Sequence, residues 1–321
     1  MKTDAVRNCG ASRRLAVVGL LLLANGPLAL QTAHAASTIS TNNSMAYGAN
    51  IGWMDWRGDE TNGCAGCTNG VVIGEFVVRG YIYGANVGWI NLGNGNPTNG
   101  IQYTNNSTND FGVNNLGTGE LRGYAYGANI GWIVFTNRSA AGLLLSSEIP
   151  HFDLITGRFS GYAYSANCGW ISLSNAFASV KTDFCVPGID TDGDGVPDAW
   201  EKLYFPFLTN VTASTDNDRD GVKDIDEYRA DTSPTNVNDN LRITAITVNS
   251  VGSTSTVTWT SRPTRLYQVQ TREDLVAGSW STNTPPGTVI PDSGLTTTRT
   301  APGSVTTQRF YRVQAIQPLK H

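Results

Sequence analysis

YAYGANIGWIVF, residues 124 to 135, recurs in four versions along the chain, and its reading decides the fold. The other copies are AYGANIGWMDW from Ala46, YIYGANVGWINL from Tyr81 and YAYSANCGWISL from Tyr162. The Tyr that precedes the turn falls at 47, 83, 126 and 164, in steps of 36, 43 and 38 residues, which lies within the range of repeat architectures. Tyr-x-Tyr puts two aromatics on one face of a strand, because side chains alternate. Gly-Ala-Asn-x-Gly supplies residues that tolerate positive φ and reads as a turn. Trp-Ile-x-Phe/Leu is the returning strand. Each phrase is therefore a β-hairpin, and a cross-strand pair such as Tyr126 with Trp132 adds about 0.2–1 kcal/mol.

Working outward, VVIGEFVVRG, VNNLGTGELRG and HFDLITGRFSG precede the last three hairpins and supply further strands. The first copy lacks such a segment. FASVKTDF, from Phe177, is placed to supply it and to close a propeller or barrel over residues 36 to 185; an open solenoid is the competing arrangement. Trp53, Trp89, Trp132 and Trp170 are expected in the core of their own repeats, since a small repeat has few other large residues to bury. Their competing role is as stacking platforms for sugar rings. Asn50, Asn86, Asn129 and Asn167 read as turn formers. Cys168 occupies the slot of Ile51, Val87 and Ile130, so that slot is expected to be inward-facing and apolar. The phrase resembles the GYAWSxNxGWI-type repeat of secreted bacterial proteins. That resemblance covers about half the chain and implies an extracellular or envelope location, with no activity attached.

Residues 186 to 240 carry a different chemistry. DTDGDGVPDAWE from Asp190 and DNDRDGVKDIDE from Asp216 each have carboxylates at loop positions 1, 3 and 5, Gly at 6 and Glu at 12, the ligand spacing of an EF-hand loop. In the first loop the ligands are Asp190, Asp192, Asp194, the carbonyl of Val196, Asp198 through water, and bidentate Glu201. In the second the same roles fall to Asp216, Asp218, Asp220, Val222, Asp224 and Glu227. An all-oxygen set selects a hard cation, and bidentate Glu with high coordination number favours Ca²⁺. From Asp190 to Asp231 there are twelve carboxylates (ten Asp, two Glu) against Lys202, Arg219, Lys223 and Arg229. That local balance of −8 exceeds the −4 of the whole chain, so the acid belongs to one site. No helical pattern enters the first loop, whereas Pro197 with Ala199, Trp200, Leu203 and Tyr204 starts a helix leaving it. These departures resemble the bacterial EF-hand-like, dockerin and thrombospondin type 3 class of calcium repeats, as does the ending EYRADTSPTN. The resemblance implies structural calcium rather than signalling.

From residue 241 to 321, LRITAITV, TSTVTWTS, RLYQVQTRED and RFYRVQAI alternate at period two between Gly/Pro/Ser/Asn turns and read as a small β-sandwich with Trp259 in its core. The pattern resembles a fibronectin type III-like domain. The fold class expected for the whole chain is thus mainly β: a repeat-built β-domain, a short EF-hand-like segment and a C-terminal β-sandwich.

At the other end, Lys2, Arg7, Arg13 and Arg14 precede the apolar run LAVVGLLLLANGPLAL, and Ala33-His34-Ala35 follows it, the layout of a secretory signal peptide over residues 1 to 35. No second apolar stretch approaches the ~20 residues of a membrane span. Four cysteines follow the signal, and an even number in an exported chain favours disulfides, preferably Cys64–Cys67 and Cys168–Cys185. A net charge of −4 gives no case for nucleic acid. His151 and His321 are the only histidines after the signal, and hydrolase motifs such as G-x-S-x-G or H-E-x-x-H do not occur, so no enzyme activity is expected. A glycoside-hydrolase pair such as Glu75 with Glu120 is the residual enzymatic reading. The sequence therefore points to a secreted calcium-binding structural or adhesive protein in which calcium rigidifies an interdomain segment. A carbohydrate-binding protein is the alternative, with extracellular glycans or cell-surface proteins as partners.

Overall fold

A computed structural model of the protein describes residues 37–58, 70–139, 141–249, 254–276, 278–282, 287–302 and 308–320. The expected signal peptide and the Cys64–Cys67 pair lie outside these residues.

The four phrases fold as the four hairpins of a closed barrel. Its strands are β1 (Ile39–Gly48), β2 (Gly52–Asp55), β3 (Tyr81–Gly84), β4 (Gly88–Asn91), β5 (Leu121–Gly127), β6 (Gly131–Phe135), β7 (Tyr162–Ser165) and β8 (Gly169–Ser172). Each pairs antiparallel with the next, and β8 returns to β1 through Tyr47↔Ser172 and Gly48↔Ile171. The barrel arrangement holds and the open solenoid does not, because closure leaves the eight strands no edge. The segment expected to complete the first copy does so: β9 (Val180–Thr182) pairs with β1 at Ser44↔Val180 and Ile39↔Thr182.

Alternation sends one face of every hairpin inward. Ile51, Val87, Ile130 and Cys168 form a buried layer beneath the turns. Met54, Ile90, Ile133 and Ile171 form the next, and Trp56, Leu92, Phe135 and Leu173 the third. Trp56 fills the middle, with its ring 5.2 Å from Phe159 and 6.4 Å from Phe135. The void left inside is only about 10 Å³, so the barrel is a packed core and not a ligand cavity.

This geometry corrects the expected place of the repeated tryptophans. Trp53, Trp89, Trp132 and Trp170 face outward and are 41–46% exposed. The interior is already filled by Ala, Met and Ile from the opposite face of the same strands, with Trp56, Leu92, Phe135 and Leu173 in the third layer, and no volume is left for four more indoles. Each Trp instead lies on the outer wall against its cross-strand Tyr, with centroids 4.8 Å apart for Tyr47–Trp53 and 5.0 Å for Tyr126–Trp132.

The Asn residues do more than form turns. Asn86 Nδ2 donates to Ile51 O, Asn129 to Val87 O and Asn167 to Ile130 O, and Asn50 closes the circle on Cys168 O, all at 3.0–3.1 Å. Every turn is tied to the turn before it. The turn glycines Gly52, Gly88, Gly131 and Gly169 have φ of 72–80°, and a Cβ on Gly52 would stand 3.1 Å from Asn86 Nδ2, so both conformation and space require Gly.

The expected inward slot of Cys168 is observed, but the expected Cys168–Cys185 disulfide is not: both thiols are free. Cys168 is buried under the fourth turn. Cys185 lies away from the turns, where its N–H donates to Leu319 O at 2.8 Å and the following Val186 N–H donates to Ile73 O. Burial pushes its thiol up to about 12.

After the barrel come α1 (Asp198–Tyr204) and α2 (Asp224–Ala230), which share a small core of Val196, Trp200, Val211 and Tyr228. Leu203, expected on the apolar face of α1, is exposed instead. The C-terminal region has β10 (Ile243–Asn249), β11 (Thr254–Thr260), β12 (Leu266–Arg272), β13 (Thr296–Pro302) and β14 (Phe310–Ile316). β10, β11 and β13 form one sheet and β12 with β14 another. Trp259 is fully buried in the core they share with Tyr267 and Val269, as expected, and Tyr311 rather than Phe310 packs against it.

Candidate metal centre

Each acidic loop is folded by its own backbone. Gly195 and Gly221, at position 6, have φ of 96° and 93°, which lets the chain turn sharply around the carboxylates. Position 4 is also left-handed, at Gly193 and at Arg219 (φ 78° and 63°). Asp190 accepts from Gly193 and Gly195 N–H (2.7 and 2.9 Å), and Asp216 accepts from Gly221 N–H (3.0 Å). Each loop is closed by the amide of residue 9, as Asp198 N–H donates to Ile189 O at 2.7 Å and Asp224 N–H to Thr215 O at 3.0 Å.

The carboxylates converge as their spacing predicts. One oxygen each from Asp190, Asp192 and Asp194 lies within 4.8 Å of the other two, and the same holds for Asp216, Asp218 and Asp220. Glu201 and Glu227, projected from the first turns of α1 and α2, are fully buried. Both oxygens of Glu201 and Oε2 of Glu227 have no hydrogen-bond partner, and neither do single oxygens of Asp194, Asp216 and Asp218. Burial, reinforced by the surrounding aspartates, raises the Glu201 carboxyl to about 7 and that of Glu227 to about 8. Buried carboxylates without donors are costly when charged, a cost that either protonation or a bound cation removes. Oxygen donors alone suit a hard cation.

At position 9, where a ligand acting through water is expected, Asp198 and Asp224 stand outside the directly converging triads. Asp198 accepts from Thr191 N–H and Oγ1, both at 2.7 Å, and Asp224 accepts from Asn217 N–H and Nδ2. Their carboxylates hold the second residue of each loop. Val196 is buried and Val222 half-buried at position 7 of their loops. Pro197 at position 8 caps α1 with an extended backbone, and Lys223 does the same for α2.

A junction beside the loops was not apparent from sequence. Tyr228, the residue after Glu227, donates its hydroxyl to Glu75 Oε2 at 2.9 Å, and Phe76 packs on the small helical core. Arg265, buried just before β12, donates to the carbonyls of Tyr228 and Arg229 at 2.8 Å each, which caps the C-terminal end of α2. Burial raises the Glu75 carboxyl against the opposing pull of Tyr228 and Arg265. The only sequence cue was a lone acid in the apolar segment VVIGEFVVRG. Glu120, its suggested catalytic partner, is ion-paired with Arg122. Among the described residues no helix is long and apolar enough to cross a membrane. No protein-family model, curated protein or solved structure matches this chain.

Proposed function

We propose that the protein is an exported calcium-binding structural protein, in which cations in two EF-hand-like loops hold the helical segment rigid between the barrel and the C-terminal sandwich. One observation carries this reading: Glu201 and Glu227 are wholly buried beside convergent aspartates, with carboxylate oxygens that no protein donor reaches. Position 12 is where the bidentate ligand of such a loop belongs. The coupling to shape follows from chain order. Glu227 is followed by Tyr228, whose hydroxyl bonds to the barrel side and whose carbonyl is held by the sandwich. Fixing Glu227 on a cation therefore fixes the turn of α2 that joins both neighbours. Export rests on the N-terminal basic and apolar segments and their Ala-x-Ala site.

Calorimetric titration of chelator-treated full-length protein with CaCl₂ tests the reading. Two binding events are expected, one lost in Glu201→Gln and the other in Glu227→Gln, with affinities in the range of extracellular modules, Kd of about 10⁻⁴–10⁻³ M. Absence of calcium heat in the unsubstituted protein overturns it.

A further inference from the structure

The four repeats are not equivalent on their outer face. The step between the second and third is 43 residues rather than 36 or 38, and the longer connection lies over the third Trp. Residues 93–112 make a loop organised from within. Asp110, 2% exposed, accepts from the N–H groups of Thr98 and Thr104 (3.0 Å each) and from the Thr104 hydroxyl. Asn114 brackets Tyr103, accepting from its N–H and donating to its carbonyl at 2.9 Å each. Asn105, in the left-handed region with φ 57°, accepts from Gly112 N–H at 3.0 Å and turns the loop back on itself.

This loop stands off the barrel wall and leaves a groove of about 300 Å³. One wall is aromatic: Trp132 with Phe111 set edge-on to it at 5.1 Å and 87°, and Tyr124 at 6.0 Å. The other wall is Asn106, Ser107 and Thr108. Their side chains are exposed and take no hydrogen bond from the described residues. No charged side chain lines the groove.

We propose that this groove binds a pyranose unit of a neutral oligosaccharide, with a sugar face on Trp132 and its hydroxyls met by Asn106, Ser107 and Thr108. A pyranose has an apolar C–H face and a rim of hydroxyls that both donate and accept. The groove offers the matching pair: an aromatic surface opposite an amide and two hydroxyls, which likewise do both. The uncharged lining excludes a preference for acidic sugars or phosphates. The volume is at the lower end of small-molecule sites, enough for one or two rings with the remainder in solvent. Order in the loop is set by Asp110 and Asn114, so the polar wall is in place before a ligand arrives. Trp53, Trp89 and Trp170 present the same outward indole without this loop, so they act as internal controls. The proposal does not depend on the cation sites.

The test is calorimetric titration of the calcium-loaded full-length protein with cellohexaose, mannohexaose, laminarihexaose and, as the charged comparison, hexagalacturonate. At least one neutral hexamer is expected to bind. Trp132→Ala should weaken it by about tenfold or more, and Trp89→Ala should leave it within about twofold. Because Trp132→Ala removes a ring from the wall, the paired change Asn106→Ala with Thr108→Ala, at exposed loop positions, gives a second reading and should also weaken binding. The proposal is overturned if no neutral hexamer binds, if only hexagalacturonate binds, or if the Trp132 and Trp89 substitutions have equal effects.

Discussion

The barrel and the helical segment solve opposite problems. In the barrel, each polar group that the turns bring together has a partner within the chain: four Asn amides meet four carbonyls in a circle. In the helical segment the reverse holds. Among the described residues, every buried side-chain oxygen without a partner belongs to the two acidic loops. One region satisfies its own polar groups, and the other leaves buried carboxylate oxygens without a partner in the polypeptide. Stability should accordingly be intrinsic in the first and conditional in the second.

Under the proposed calcium reading, the strongest way to break this contrast is to add a chelator. Ligand linkage contributes about 2.7 kcal/mol per site at a hundredfold excess over Kd, so chelation should cost about 5 kcal/mol across two sites. Hydrogen exchange should show the amides of α1 and α2 losing protection while β1–β8 keep theirs. Equal loss in both regions would end the distinction. Next in size is a size-matching test inside the barrel. A Cβ at Gly48 would stand 2.7 Å from Ile51 Cγ1, and one at Gly84 equally close to Val87 Cγ2, whereas the fourth repeat pairs Ser165 with the smaller Cys168. Cys168→Ile alone should cost about 1–3 kcal/mol through overpacking. Adding Ser165→Gly should recover most of it, as read by urea unfolding of calcium-loaded protein. A smaller loss, about 1 kcal/mol, is expected for Asn129→Ala, which strips one link from the circle, and it should be the same with calcium and with chelator.

The smallest effect is local and sharpens what intrinsic means. Hydrogen bonds from Thr104 and Thr98 hold the Asp110 carboxyl down at about 2. A carboxyl lowered on folding contributes stability that is complete above its ordinary value, near 3.8, and lost as pH falls through about 2. Trp132 fluorescence should therefore show a change with a midpoint near pH 2, below the range in which the carboxylates of the acidic loops take up protons. In Asp110→Asn that transition should be absent.

Much of this could be read from the residues. Period-two alternation around Gly-Ala-Asn-x-Gly fixes each hairpin, and carboxylate spacing fixes which loops turn on themselves. Alternation says which side chains share a face, however, and not which face is inside. The strands are apolar on both faces, with Tyr and Trp on one and Ala, Met and Ile on the other. Only closure to a narrow ring decides that the smaller set goes in. The disulfide expectation rested on an even cysteine count, which carries no distance, whereas the slot shared by Cys168 and Ile51 did carry position. At position 9 the carboxylates also accept from Thr191 and Asn217, a role in holding the loop that ligand spacing does not express. The Glu75–Tyr228–Arg265 junction joins residues far apart in sequence and has no periodic signature.

The Asn circle has a topological consequence. Because Asn50 reaches back to Cys168 and β1 pairs with both β8 and β9, the barrel has no privileged first repeat. A circularly permuted barrel, opened between the second and third hairpins and joined across β9 and β1, would retain every link of the ring. Removing one hairpin would not give a shorter version of the same object, because a three-membered circle would have to bend each turn toward a neighbour at a different angle. Which repeat comes first is thus free, while their number is a property of the closed shape.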